Sequence, residues 1–265
     1  MTGQSRVSQW WRGEVAPTLR AAVRAFGLRV GLDIRRFDRA AAPSARRARV
    51  LAANQVDLIV DGGASSGQYA RLLRAAGYAG AIESFEPLST PFGRLVKHAS
   101  NDPRWRCHRL ALGDRSHVTM INVAENYLSS SLLEMTEIHR AHARGSTTVA
   151  TETISVARLD DVAREFFRGD ERIFLKLDVQ GYELAALRGA EEMLNQVRAI
   201  ELELSLVELY RGQPLFPEVV EHLLDREYRC VGLDPVFVEH ETGYVLQVDA
   251  LFVRDRPESE VRAAA

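Results

Sequence analysis

Asp57-Leu58-Ile59-Val60-Asp61-Gly62-Gly63-Ala64-Ser65-Ser66-Gly67 is a short apolar run that stops at an acid and a cluster of glycines. Helical character follows over Gln68–Ala76 and ends at Gly77, so the stretch reads as a buried strand, a tight turn and a helix. The glycines let the backbone turn sharply and approach a ligand with no Cβ in the way, and the helix that follows offers free N–H groups. No Lys-Ser/Thr pair follows the last glycine, so this is not a phosphate-cradling loop, and the spacing is not that of the dinucleotide fingerprint. Asp61 at the mouth of the loop disfavours a pyrophosphate and suits a ligand bearing an ammonium group or hydroxyls. Taken alone, such a loop is often a mere turn.

Working outward, the alternation of strand and helix repeats. Strands are expected at Ala81–Glu86, Trp105–Leu112, Ile173–Asp178 and Ala199–Leu204. Helices are expected at Pro91–Ala99, Leu159–Phe167, Tyr182–Leu194 and Glu218–Glu227. Val118–Val123 and Val149–Val156 read as additional strands around a polar loop. Cys230–Leu233, Val236–Glu239 and Val245–Val253 read as terminal strands with a turn at Thr242-Gly243. Repeated βα units imply an α/β fold with a doubly wound, mostly parallel sheet covered on both faces. The terminal strands imply an antiparallel C-terminal edge. Ligands of such sheets sit at the carboxyl ends of the strands, near the point where strand order reverses.

Residues 1–55 form an Arg- and Ala-rich extension with helices near Val7–Phe26 and Ser44–Gln55, broken at Pro43. Trp10, Trp11, Leu19, Val23 and Phe26 fall on one apolar face, which reads as a helical cap or, in the sharper alternative, a membrane-surface or substrate-lid helix. Residues 56–256 form the main domain, and residues 257–265 are a polar, Ala-rich tail expected to fray.

The 265 residues are 46% hydrophobic and 26% charged with a formal net charge of −2, which creates no long-range field to gather nucleic acid. Cys107 and Cys230 lie in apolar strand-like segments and are expected to be buried free thiols. Neither a signal peptide nor an apolar run long enough to span a membrane is seen, so a cytoplasmic enzyme with at most peripheral membrane contact is the default.

Polar residues ending the strands carry the chemistry. Glu86, followed by Pro87, stands near the distance from the glycine loop at which an acid accepts hydrogen bonds from ribose hydroxyls. Its structural alternative is a helix-capping carboxylate. The turn after the third strand, Ala111-Leu112-Gly113-Asp114, brings Asp114 or the Leu112 backbone toward a base edge. Together, loop and acid point to a nucleoside ligand.

The ordered set Asp61-Gly-Gly-Ala-Ser-Ser-Gly67, Ser84-Phe-Glu-Pro87, Ala111-Leu-Gly-Asp114, Ser129-Ser-Ser-Leu132, Arg158-Leu-Asp160 and Lys176-Leu-Asp-Val-Gln-Gly-Tyr-Glu183 resembles the FkbM family of methyltransferases over roughly Val56 to Val253. The resemblance implies a class I, Rossmann-like, S-adenosylmethionine-dependent fold, with methyl transfer usually to oxygen and often on sugars of natural products or glycolipids. By position it implies a cofactor pocket from Asp61, Gly62, Gly63, Ala64, Gly67, Glu86, Pro87, Leu112 and Asp114. Two departures are Gln180, where the family usually has Glu, and Gly62, often an aliphatic residue.

A sugar hydroxyl is a poor nucleophile, so a general base is expected. Asp178 ends the strong strand and is the first candidate. Its alternative is a carboxylate that orders the next turn or binds the cofactor's ammonium. Lys176 shares its face of the sheet and is expected to orient the acceptor, tune Asp178 or form a structural ion pair. Glu203 is the second candidate for base or acceptor contact; with Glu201 it forms an odd pair of acids on a buried strand. The polar loop with Tyr127, Ser129, Ser130 and Ser131 is expected to line the acceptor site, with Glu183 contacting substrate or complementing a helix dipole. Tyr210, with Arg211, is expected to close over the acceptor. Glu137, His139 and His142 lack a clear metal-ligand arrangement, and no metal is expected.

The substrate expected is a small molecule or glycolipid, not nucleic acid. An RNA ribose methyltransferase and a non-catalytic nucleoside-binding module are the alternatives. An NAD-dependent oxidoreductase is disfavoured by the glycine spacing.

Overall fold

The computed structural model describes residues 17–32 and 42–254. The chain divides into two compact units, Met1–Arg46 and Arg47–Ala265. The described part of the first contains helix α1 (Pro17–Arg29). Val23 and Phe26 on it are exposed. Trp10, Trp11, the Leu19 side chain and the tail from Pro257 lie outside the described residues. Helix α2 (Pro43–Ala53) follows, with Pro43 as its first residue, where a missing N–H costs nothing.

The second unit continues with β1 (Leu58–Gly62), α3 (Gln68–Ala75), β2 (Ala81–Phe85), α4 (Ser89–Ala99), β3 (Trp105–His108), β4 (Ala111–Leu112), β5 (His117–Ala124), α5 (Glu137–His142) and β6 (Thr148–Ala157). Then come α6 (Leu159–Phe166), β7 (Ile173–Leu177), α7 (Glu183–Arg188), β8 (Val197–Ser205), α8 (Phe216–Leu224), β9 (Tyr228–Val238) and β10 (Val245–Arg254). Seven strands form one sheet in the order β3-β2-β1-β7-β8-β10-β9. All neighbours from β3 to β8 are parallel, and β10 runs antiparallel between β8 and β9. This is the expected doubly wound α/β architecture with an antiparallel edge. Strand order reverses between β1 and β7, which pair in register with Asp61 opposite Lys176.

Every residue of β1 is buried. Alternation splits the apolar residues between the two faces of the sheet. Leu58, Val60, Leu175 and Leu177 pack into one core, and Ile59, Phe174 and Ala199 into another with Leu51, Ala70 and Leu73. Two residues beyond Ile59, Phe174 and Ala199, the second face carries Asp61, Lys176 and Glu201, so it turns from apolar to charged at the carboxyl ends of the central strands.

Four expectations need correction. The strand expected over Trp105–Leu112 divides, because its partner β2 ends at Phe85, opposite His108. The chain then leaves the sheet, and Ala111–Leu112 pairs with Val156–Ala157 in a separate sheet of order β4-β6-β5. The helix expected over Tyr182–Leu194 stops at Arg188. There the Asp160 backbone N–H takes the Gly189 carbonyl, and the Asp160 side chain accepts from Glu192 and Met193 N–H, starting a short 3₁₀ turn at Met193–Asn195. The two strands expected before the Thr242-Gly243 turn are one, β9, whose outer position tolerates Pro235. Cys107 is half-buried and Cys230 on this outer strand is exposed; both are free thiols. Among the described residues, no helix is long and apolar enough to cross a membrane.

Gly63 has φ +76°, and a Cβ there would lie 1.8 Å from the Asp178 carbonyl oxygen. Gly77 has φ +92° and open space around it. Gly63→Ala should therefore destabilise the fold by more than about 3 kcal/mol in chemical denaturation, because backbone must move. Gly77→Ala should lose only about 1–2 kcal/mol, the left-handed penalty alone. Equal losses would show that the close approach of the two loops is not a constraint.

Candidate active site

The turn after β1 is tied to the strand beside it. Gly63 and Ala64 N–H both donate to the Phe85 carbonyl at 3.0 Å, and Asp178 N–H donates to the Gly62 carbonyl at 3.1 Å. Ser65, with φ +48°, donates its N–H to Glu86 Oε2 at 2.8 Å. Leu88 N–H donates to Glu86 Oε1 at 2.9 Å. Glu86 thus joins the glycine loop to the start of α4 and still faces the cleft. Burial pushes its carboxyl up to about 7, outweighing both N–H donors.

Across the sheet, Asp61, Lys176 and Glu201 stand in register on β1, β7 and β8. Asp61 is fully buried. Its Oδ2 accepts from Ser84 Oγ at 3.2 Å, and Ser84 Oγ accepts from Trp105 Nε1 at 2.9 Å. Asp61 Oδ1 has no hydrogen-bond partner and lies 4.0 Å from Lys176 Nζ. Burial raises the Asp61 carboxyl, while Lys176 and Ser84 oppose the rise. Lys176 Nζ donates to Asp178 Oδ2 at 3.2 Å and sits 5.4 Å from the centre of the Tyr69 ring. Burial works against its charge, but Asp178 and Asp61 together outweigh it and hold the ammonium above its usual range. Glu201 is neutralised differently, by a forked pair with Arg47 of α2 and a 3.2 Å bond from Tyr69 Oη. The odd pair of acids on β8 is thereby resolved into one ion pair and one further acid.

That further acid is Glu203. Its Oε2 accepts from Gln180 Nε2 at 2.8 Å and from Gln247 Nε2 at 3.1 Å. Gln180 Nε2 also donates to Asp178 Oδ1 at 2.6 Å. Burial, then the nearby Asp178 and Glu183, push Glu203 well above the usual carboxylate range. Asp249, opposite Glu203 on β10, is pushed to about 6 by burial and neighbouring acids.

A cleft open to solvent lies at this end of the sheet. Of the residues expected to hold a cofactor, Gly63, Glu86, Pro87 and Leu112 line it. Asp61, Gly62, Ala64 and Gly67 of the same loop do not line it. Asp114 is exposed on its turn and does not line the cleft. Asp178 lines it; Lys176 and Glu203 stand behind Asp178.

Of the residues expected at the acceptor, Tyr127 and Ser130 line the cleft. The three serine hydroxyls are engaged internally. Ser129 Oγ meets His139 Nε2 at 3.3 Å, Ser130 Oγ accepts from Ala124 N–H, and Ser131 Oγ donates to the Gln180 carbonyl at 2.7 Å. Glu183 turns inward and accepts from Val179 and Gly181 N–H, with its carboxyl raised to about 7 by burial. Tyr210 is fully buried, and Arg211 pairs with Glu134 on the surface. Glu137, His139 and His142 diverge: Glu137 pairs with Arg140, His142 with Glu239, and His139 packs edge-on against Tyr210. Burial lowers His139 to about 4. Among the described residues no group of His, Cys, Asp and Glu is arranged to hold a metal ion.

Sequence reading missed Leu88, Ile121, Val179 and Tyr182 in the cleft, while Leu128 and Leu132 belong to the loop expected to line it. Tyr182 lay within the quoted Lys176–Glu183 motif and was within reach. Ile121 comes from the second sheet, whose docking no local pattern reveals. Gln180 was seen only as a departure from a family pattern.

A family model described as "Methyltransferase FkbM domain" matches residues 61–230. No curated protein matches the chain by sequence. Among solved structures, an rRNA methylase from Streptococcus thermophilus is 11% identical, with 81% of this chain and 98% of that one covered at a TM-score of 0.44. Magnesium protoporphyrin IX methyltransferase from Synechocystis PCC 6803, solved with bound SAM, is 11% identical, with 95% and 92% covered and a TM-score of 0.43. Precorrin-6y C5,15-methyltransferase from Geobacter metallireducens GS-15 is 11% identical, with 79% and 87% covered and a TM-score of 0.43. Likenesses of this degree carry no argument about substrate.

Glu86 and Glu183 each release a proton near 7 when folded, against 4.5 for an ordinary glutamate. Between those values the folded chain binds more protons than the unfolded one, so these groups lower stability as pH rises through that window. Glu86→Gln removes one contribution. The fall in melting temperature from about pH 5 to 7 should be shallower in the variant than in the parent. An unchanged slope would mean that Glu86 is already ionised at the bottom of the window.

Proposed function

This chain belongs to the FkbM family of S-adenosylmethionine-dependent methyltransferases, and from that membership we propose that it methylates a sugar hydroxyl of a glycolipid or other glycosylated natural product. The observation that supports the site assignment is the cleft lining itself. It includes the carboxylates Glu86 and Asp178 but, among the described residues, no Lys, Arg or His. Such a cleft suits a ligand with positive charge and hydroxyls and rejects a pyrophosphate. Leu88, Leu112, Ile121 and Leu132 offer an apolar wall for a flat base. The residues present therefore fit S-adenosylmethionine. Glu86 would hold its ribose, since each of its oxygens takes one N–H and keeps a lone pair for a hydroxyl. The loop Asp61–Gly67 would border the methionine end, and Leu112 the base.

When bound, S-adenosylmethionine supplies a methyl group already activated by a positively charged sulfur. Asp178 is the proposed base. Lys176 and Gln180 each donate to one of its oxygens, which keeps the carboxylate fixed and leaves lone pairs for the acceptor's proton. Tyr127 and Ser130, facing the same cleft, are the proposed acceptor contacts.

Calorimetric titration should show S-adenosylmethionine binding to the full chain; NAD binding in its place would overturn the site assignment. Incubation with methyl-labelled cofactor and separate lipid-glycan and RNA extracts should place label in the first. Label confined to RNA would contradict the sugar reading. Asp178→Asn should lower turnover by about 100-fold or more while S-adenosylmethionine affinity stays within about twofold. A fully active variant would remove Asp178 as base.

A further inference from the structure

Gln180 makes contacts that the proposed mechanism does not require. Its backbone has φ +53°, a left-handed conformation that a side-chain-bearing residue rarely adopts. The neighbourhood holds it there. Ser131 Oγ donates to its carbonyl, and Glu183 accepts from the N–H groups on either side, of Val179 and Gly181. Strain held this firmly points to a role for the side chain.

That side chain is fully engaged. One Nε2 hydrogen goes to Asp178 Oδ1 and the other to Glu203 Oε2, at 2.6 and 2.8 Å. Tyr210 Oη lies 2.7 Å from Gln180 Oε1 and 3.0 Å from the Ser129 carbonyl, and its single proton is shared between these acceptors. The Asp178 carboxylate, held by Lys176, sets the direction of the amide, because a flipped amide would aim its oxygen at that carboxylate. We propose that Gln180 is a positioning residue whose amide bridges Asp178 and Glu203 and holds the two carboxyl groups as one pair, within which the Lys176 ammonium places the negative charge on Asp178. The inference rests on Asp178 as the base.

The asymmetry comes from the other neighbours. Asp178 Oδ2 takes the Lys176 ammonium, whereas Glu203 Oε2 takes only the neutral amides of Gln180 and Gln247. The remaining charged or titratable groups facing the pair are Asp61 on β1, Glu183 at the start of α7, Asp249 on β10 and Tyr210 after β8. Glu201 on β8 is occupied by Arg47. Thus a cation sits on the Asp178 side of the bridge and, among the described residues, none is seen on Glu203. Burial acts in the same direction on Glu203. An uncharged amide is needed at position 180: a third carboxylate there would face two others within hydrogen-bond distance of one point.

The test follows the side-chain carboxyl ¹³C shifts of the full chain against pH, with Asp178→Asn and Glu203→Gln assigning the signals. Gln180→Leu removes a donor to both charged forms, so both titration steps of the pair should move up, by about one pH unit together. Gln180→Glu should move them further and add a step. Tyr210→Phe, which leaves the amide in place but removes the hydroxyl beside its oxygen, should move them in the same direction by less, and serves if a position-180 variant does not fold. Gln180→Leu should also lower kcat without raising the dissociation constant for S-adenosylmethionine. Titration steps unmoved in Gln180→Leu, with Asp178→Asn inactive, overturn the inference and leave the base assignment standing. A fully active Asp178→Asn overturns the base assignment itself, and the positioning role falls with it.

Discussion

The Lys176 ammonium is the interaction on which the candidate site depends. It is buried where strand order reverses, against Asp178 and near Asp61, on a face of the sheet that also carries Glu201, Glu203 and Asp249. So many acids at adjoining strand ends repel one another and lose hydration. The fold answers in three ways: Lys176 compensates Asp61 and Asp178, Arg47 takes Glu201, and amides from Gln180 and Gln247 serve Glu203. Removing one partner of such a buried set typically costs about 3–5 kcal/mol, because an uncompensated charge remains. The same polarity leaves carboxylates, and no cation, on the described cleft surface.

Much of this was legible in the sequence where the signal is local. The run Leu58–Asp61, stopped by glycines and followed by a helix, specifies strand, turn and helix within twenty residues, and β1, its loop and α3 fall where that pattern puts them. Glu86 was legible through its distance from the loop. Strand alternation placed Lys176 and Asp178 on one face, and the structure brings them within 3.2 Å.

What was not legible depends on contacts between distant segments. Arg47 and Glu201 are 154 residues apart, and nothing in either segment indicates the pair. Ser129 and Ser131 read as hydroxyls for a carbohydrate, yet each is engaged within the protein. Tyr210 and Glu183 read as substrate contacts, yet both turn inward to hold the loop around Gln180. Composition identifies polar groups, but which of them the backbone consumes is decided only when the two sheets meet. The division of the expected strand Trp105–Leu112 has the same origin, because Ala111–Leu112 finds its partner in β6.

On the proposed reading, the cleft divides its work between a cofactor side, from Gly63 to Leu112, and a base held by charge and amide at Asp178. The most direct test is a crystal structure with S-adenosylhomocysteine bound. The account predicts the ribose hydroxyls on the Glu86 carboxylate, the base against Leu112, and the sulfur end toward Asp178. A product molecule elsewhere on the chain, or one reversed so that the ribose leaves Glu86, would contradict it.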